Sequence, residues 1–329
     1  MAMGTFILRR IVIMFPTLVM ISVLAFIVIE LPPGDFVTSY IQTLTTAGRN
    51  VDEKLIENIR HAYGLDRPVT VRYFMWVSRL VRGDFGFSLY YKAKVADLLS
   101  LRMPMTFMVA FMSLLFSWVI AFPIGVYSAV RQYSFGDYFW TILGFLGLAT
   151  PNFLLALVLM FVASRYFNTS VGGLYSPEFQ SAAMSFAKIW DFLKHLWVPM
   201  VVVGTAGTAS LIRILRANLL DELKKPYVEM QRAKGLTEKK LIIKYPLRIA
   251  VNPFISSIGW ILPSFISGTV ITAVVLDLPT AGPLFLQAIR AQDMPLAGAF
   301  IMLTGGLTVV GMLVSDIMLA IVDPRVRYG

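Results

Sequence analysis

The chain has 329 residues and no cysteine, which removes disulfides, thiolate metal sites and cysteine nucleophiles. Its two histidines, His61 and His195, are too few for a histidine metal cluster. Glycine is never followed by lysine, so the Gly-x-x-x-x-Gly-Lys-Ser/Thr phosphate loop is absent, and any ATP hydrolysis has to come from another protein. No Gly-x-Ser-x-Gly elbow and no His-Glu-x-x-His pair occurs, which argues against an intramembrane hydrolase. Charge is scarce as well. Only 15% of residues are Asp, Glu, Lys or Arg, against about 25% in a soluble domain.

What is abundant is apolar. Hydrophobic residues make up 57% of the chain and fall in long uncharged runs, which is the composition of a protein dissolved in a bilayer. The formal net charge of +10 fits the basic loops of membrane proteins. It does not point to nucleic acid, because no basic, aromatic-interleaved soluble domain exists to bind one.

About 20 apolar residues cross the hydrocarbon core. Six runs are long enough to span with tilt or flanking residues: Ile11–Ile29, Met103–Val130, Tyr138–Ser164, Leu196–Ile212, Ile249–Leu276 and Met294–Ser315. The fold class expected is therefore an all-α integral membrane protein with about six transmembrane helices. The prolines inside the runs (Pro16, Pro123, Pro151, Pro199, Pro263) are tolerable where neighbouring helices satisfy the freed carbonyls. The first run is too long for the apolar region of a signal peptide and lacks a small-x-small cleavage site, so it reads as a retained helix.

With the N-terminus inside, the inner segments hold 15 basic residues and the two short outer loops hold 4, so both termini are expected inside. The segment 33–102 is too long to count in that comparison. Val51–Tyr63 and Val71–Val81 have helical spacing and Gly83-Asp84-Phe85-Gly86 reads as a turn, so this segment should form a small, mostly helical outer domain. Glu178–Lys194 is expected to hold a separate outer amphipathic helix. The division is then 1–32 for the first helix, 33–102 for the outer domain, 103–322 for five further spans, and 323–329 for an inner tail.

The sizeable inner loop, 214–248, is the most informative segment. Lys224 and Lys225 suit a helix C-terminus. Pro226 suits the first position of a new helix. Tyr227–Lys234 can make two turns, roughly 12 Å long. Gly235 fits the left-handed position that ends a helix, and Thr237 can cap the next one. Tyr227, Met230 and Leu236 offer apolar contacts, ringed by the charges of Glu229, Arg232 and Lys234. Such a helix can dock in a groove on a partner protein. It can equally lie on anionic headgroups.

Glu229-Met230-Gln231-Arg232-Ala233-Lys234-Gly235 resembles the coupling loop of ATP-binding-cassette (ABC) importer permeases, whose pattern is Glu-Ala-Ala, three residues, then Gly. Met230 and Gln231 replace the two alanines. Arg232-Ala233-Lys234-Gly235-Leu236 is similar to the version in the dipeptide and oligopeptide permease family. Arg9-Arg10, Pro33-Gly34-Asp35, Gly64-Leu65-Asp66-Arg67-Pro68, Arg82–Ser88, Ala288–Pro295 and Asp323–Tyr328 resemble further segments of that family, in order and across nearly the whole chain. The N-terminal segment resembles that of the first of its two paired permeases.

The resemblance implies the type I importer permease fold. It implies a second homologous permease, two ABC ATPase subunits that bind ATP and magnesium, an extracytoplasmic substrate-binding protein, and no cofactor in this chain. It also implies a bacterial or archaeal inner membrane. The ATPase-contacting residues it implies are Tyr227, Glu229, Met230, Arg232, Ala233, Lys234, Gly235 and Leu236. Peptides are one substrate class of such importers; nickel chelates, oligosaccharides and opine-like compounds are others. A secondary transporter usually keeps ionisable residues inside its spans, and these runs are almost free of them. Asp316, past the end of the sixth uncharged run, reads as an interfacial residue. A simple channel would not require a capped inner helix.

Overall fold

The computed structural model describes residues 3–31, 66–88, 90–167, 172–257 and 270–322, with single residues between 41 and 61. Between Arg10 and Glu30, helix α1 (Met3–Glu30) carries no charge on any side, as suits a lipid-facing helix, with Val12, Phe15 and Met20 on its exposed surface. Its buried side holds Phe6, Ser22, Ala25 and Phe26. Helix α2 (Val69–Val81) starts directly after Pro68 and lies against α1. Tyr73 and Trp76 place their rings 5.4 and 5.7 Å from that of Phe26, and the Tyr73 hydroxyl shares a 2.7 Å hydrogen bond with Ser22. Arg72 pairs with Glu30 at 2.6 Å.

Two short antiparallel strands follow, β1 (Phe87–Ser88) and β2 (Ala93–Lys94), paired Phe87 to Lys94 and Ser88 to Ala93. Residues 66–94 thus hold one helix and a hairpin. The turn expected at Gly83–Gly86 is present, with both glycines at positive φ. The Pro33-Gly34-Asp35 segment, the tail 323–329 and most of the expected helix at Val51–Tyr63 lie outside the described residues; of that helix only residues 57, 58 and 61 are described, and they are helical.

Helix α3 (Val95–Val130) keeps Pro104 and Pro123 inside it. Helices α4 (Phe135–Ala149) and α5 (Asn152–Phe167) divide the uncharged run that reads as one span, meeting at a bend of 104°. The cause is Pro151. It removes a backbone donor and pushes Thr150 into extended backbone, φ −84 and ψ 120. Thr150 then closes α4 by donating both its N–H and its hydroxyl to the Leu146 carbonyl.

After the single turn α6 (Pro177–Gln180), helix α7 runs unbroken from Phe186 to Leu223. The separate amphipathic helix expected over Glu178–Lys194 is therefore largely the first two turns of the fourth span. That span, the shortest as an uncharged run, lies in the longest described helix. No break is needed because the polar groups are satisfied locally. Asp191 accepts from Ser176 N and Oγ at 2.7 Å, Lys188 donates to the Ala182 carbonyl, and His195 Nδ1 lies 2.9 Å from the Asp191 carbonyl.

The chain continues through α8 (Pro226–Ala233), α9 (Glu238–Lys244), α10 (Pro246–Ala250), helical residues 252–257, α11 (Val270–Val275), α12 (Ala281–Arg290) and α13 (Met294–Val322). The middle of the fifth expected span, with Pro263, lies outside the described residues. Among the described residues, four helices (α1, α3, α7 and α13) are long and apolar enough to cross a membrane, or five spans if the bent α4–α5 pair is one.

The seam between α3 and α7 organises the bundle. A Cβ on Gly204 would sit 2.6 Å from the Phe116 ring, and one on Gly125 would sit 2.9 Å from Leu215. Small residues let the two backbones approach, and the Ser117 hydroxyl crosses the seam to the Gly204 carbonyl at 2.9 Å. One apolar cluster lies at the end of the bundle that carries α8–α10, and another lies where β1–β2, α12 and the start of α13 meet α3.

Candidate coupling site

Helix α7 stops at Leu223, Lys224 and Lys225 carry the chain round, and Pro226 opens α8 at its first position. Two groups fix this corner. Glu222 is buried at the end of α7, and its carboxylate takes the Lys225 ammonium on one oxygen and the Tyr227 hydroxyl, at 2.7 Å, on the other. Val228 is fully buried in the apolar cluster that includes Leu215, Leu219, Leu241 and Leu247. Tyr227 and Leu236 are half-buried against the same cluster.

The outer surface of α8 is what remains. Glu229, Met230, Arg232, Ala233, Lys234 and Gly235 are exposed, Met230 at 50%. Gly235 ends the helix at φ +79, the left-handed conformation expected of it, and its N–H returns to the Arg232 carbonyl at 3.0 Å. Arg232 folds over this turn onto Glu238 in the first turn of α9, through hydrogen bonds of 2.5 and 3.2 Å. The guanidinium holds the Glu238 carboxyl below the usual carboxylate range, chiefly through that hydrogen bond. Thr237 sits at the N-cap of α9 but makes no side-chain capping bond, so the Arg232–Glu238 fork ties α9 to α8 in its place.

The eight residues suggested by the sequence therefore divide. Glu229, Met230, Arg232, Ala233, Lys234 and Gly235 form one exposed surface, while Tyr227 and Leu236 partly face inward. Two residues that hold the helix were missed. Val228 had a signal, since it is the apolar residue on the side of α8 away from Met230. Glu222 had one too, in its spacing of three and five from Lys225 and Tyr227.

Further along α7, Arg216 forms a bidentate pair with Asp137 in the first turn of α4, at 2.8 and 2.7 Å. At the first end of α1, Arg10 pairs with Asp316 of α13 at 2.9 Å. Asp316 thus has a partner, in keeping with an interfacial residue.

At the opposite end of the bundle, two segments about 200 residues apart meet. Ser88 donates to Asp293, Gln287 donates to the Tyr90 hydroxyl at 2.7 Å, and Gly86 packs on Pro295, where a Cβ would come within 3.4 Å. Burial pushes the Asp293 carboxyl above the usual carboxylate range, with the Ser88 hydrogen bond opposing. A raised folded value means the folded state binds the proton more tightly than the unfolded chain. Hairpin docking is then strongest below the ordinary carboxylate pKa and weakens as pH rises through the folded value. Hydrogen exchange over residues 87–94, corrected for intrinsic rate, should quicken as pH rises above the ordinary carboxylate pKa of about 4. The same profile should be flat in Asp293→Asn.

Among the described residues, four or five apolar spans are thus joined to a short helix that presents a charged, apolar-centred face. Residues 121–328 match the family described as binding-protein-dependent transport system inner membrane component. Residues 3–110 match the N-terminal model of the same class. The oligopeptide transport system permease protein AppB of Bacillus subtilis is 37% identical over 331 residues, covering 99% of this chain and 100% of the relative. A putative peptide permease protein of Brucella ovis is 30% identical over 97% of this chain and 98% of its own. The dipeptide transport system permease protein DppB of Lactococcus lactis is 28% identical over 99% and 100%. The chain belongs to the family of binding-protein-dependent transport system inner membrane components. It is a transmembrane permease subunit of an ABC importer, of the first (B-type) permease class.

Proposed function

We propose that this chain forms half of a translocation pathway for peptides or similar small solutes, delivered by an external binding protein and driven by ATP hydrolysis in two partner ATPases. A second, homologous permease supplies the other half. Glu229, Met230, Arg232, Ala233, Lys234 and Gly235 contact one ATPase, and Tyr227 and Leu236 hold that face in place. The membrane is a bacterial or archaeal inner membrane, with both termini and α8 on the cytoplasmic side.

The observation that carries this reading is the two-sidedness of α8. Val228 is sealed in the core while Met230, two residues on, is half exposed among charges. A helix so short has no stability of its own, and its shape comes from its anchors. Anchors of that kind suit a contact that has to carry force. ATP-driven closure of the ATPases would move α8 and shift the population of inward- and outward-open pathways. The peptide substrate is inferred from the relatives, an oligopeptide and a dipeptide permease.

The test uses the absence of cysteine. Met230→Cys gives a single thiol in this chain, to be cross-linked in native membranes. A cross-link to a P-loop ATPase, with a second permease recovered after mild-detergent purification, is the expected result. Cross-linking to lipid alone would move α8 to the membrane surface and sink the proposal. Glu229→Lys places a positive charge on the exposed face and is expected to lower ATPase recovery severalfold without reducing the amount of inserted chain. Unchanged recovery would remove Glu229 from the contact.

A further inference from the structure

We infer that Asp137 and Arg216 are positioning residues that transmit movement of the coupling helix to the bent α4–α5 pair. The inference rests on the reading of α8 as the ATPase contact and adds where the motion goes next.

Asp137 is 2% exposed, so its charge is not solvated by water. Its two oxygens are instead fully engaged. Arg216 Nε donates to Oδ1 at 2.8 Å and Nη2 to Oδ2 at 2.7 Å, while Tyr133 N–H donates to Oδ2 at 2.9 Å. Ser134 Oγ caps α4 by accepting from Asp137 N at 3.3 Å. The α3–α4 turn, the start of α4 and the guanidinium are therefore one hydrogen-bonded unit. A bidentate fork fixes orientation as well as distance, which apolar side chains sliding past one another do not.

Position gives the pair its meaning. Arg216 follows Leu215, which is wedged against Gly125 of α3. Leu223, at the corner that carries α8, lies seven residues beyond Arg216 along α7, a rod of about 10 Å. Beyond the pair, α4 meets α7 through small residues, with a Cβ on Gly144 lying 3.7 Å from the Ala209 side chain. A cavity of about 210 Å³ opens between α3, α4 and α7, lined by Phe116, Ile120, Trp140, Gly144, Thr208 and Ile212 among others. The approach is closer still at Gly147, where a Cβ would lie 2.8 Å from Thr205. Three residues later the chain bends by 104° into α5. Along the rest of α4 the contacts with α7 are between small and apolar side chains, which do not fix orientation, so the ion pair is the oriented link at this end. When α8 moves the end of α7, α4 and the bend beyond it have to follow.

The experiment compares ATP hydrolysed per substrate imported, in the assembled importer in vesicles. Asp137→Asn and Arg216→Lys are each expected to raise that ratio more than about tenfold, since both destroy a charge-assisted fork. Asp137→Cys with Arg216→Cys should show the same uncoupling, and bridging the two thiols with a short bifunctional reagent should restore coupling. A role limited to folding predicts parallel loss of ATPase activity and transport, with no rescue by the bridge. Unchanged ratios in the single variants, or a bridged pair that stays uncoupled, overturn the inference. Adding Met230→Cys to each single variant tells the two readings apart. A retained ATPase cross-link with normal coupling sinks the ion-pair role alone, whereas no cross-link even without the substitution sinks the α8 contact and this inference together.

Discussion

Val228→Asp is expected to abolish uptake while the chain still inserts and accumulates in the membrane. Val228 is fully buried among leucines from α7, α9 and α10. A carboxylate there has no counterion in the cluster, and burying it costs several kcal/mol. An eight-residue helix cannot absorb that cost, since helices this short are unstable without tertiary contacts. Helix α8 would leave its seat, and the ATPases would lose a surface of fixed shape. The spans themselves are untouched, because the cluster's α3–α7 contacts do not pass through Val228. Val228→Ala should retain partial uptake, at a cost of about 1–3 kcal/mol from lost burial and a small cavity. Uptake into vesicles, with ATPase copurification from the same membranes, reads both variants. Normal uptake by the aspartate variant at normal abundance would show that α8 needs no anchor.

Much of this arrangement can be read in the residues, and the parts that cannot have physical causes. The α7–α8 corner is legible because its signals are local: two lysines at a helix end, a proline at a first position, a glycine at positive φ. Pro151 was visible too, yet its effect was not. Pro123 and Pro199 sit inside intact helices while Pro151 breaks one by 104°, and the proline alone does not say which. What distinguishes them is whether the preceding residue is held in helical backbone by neighbours, and Thr150 is not. The expectation of a separate helix over Glu178–Lys194 failed for a related reason. Charges at Lys188 and Asp191 look like the end of a span until the partners that satisfy them, Ala182 and Ser176, are known. Long-range pairs were the least legible. Nothing near Ser88 announces Asp293, and nothing near Asp137 announces Arg216. Each looks like an ordinary loop or helix-end polar residue until the bundle brings it to its partner.

Gly235→Val is the second substitution expected to have a large effect, and a graded series separates its cause from simple crowding. A Cβ on Gly235 would meet nothing within 4 Å, so added bulk is not the difficulty. The difficulty is φ +79, which a β-branched residue adopts only at a cost of about 1–3 kcal/mol. The turn cannot relax cheaply. Its N–H is bonded to Arg232, and the Arg232–Glu238 fork spans it from α8 to α9. Relieving the strain means swinging α8 away from α9, which misdirects the exposed face while leaving insertion intact. Valine should therefore uncouple uptake from ATP hydrolysis at normal abundance. Alanine should fall between glycine and valine, and asparagine should outperform alanine despite its size, because its side chain tolerates left-handed backbone. Uptake in the order glycine, asparagine, alanine, valine would mark backbone conformation as the requirement. Uptake falling with side-chain volume, with alanine ahead of asparagine, would instead place Gly235 in direct contact with the ATPase, where a flat surface and not a turn is what the partner needs.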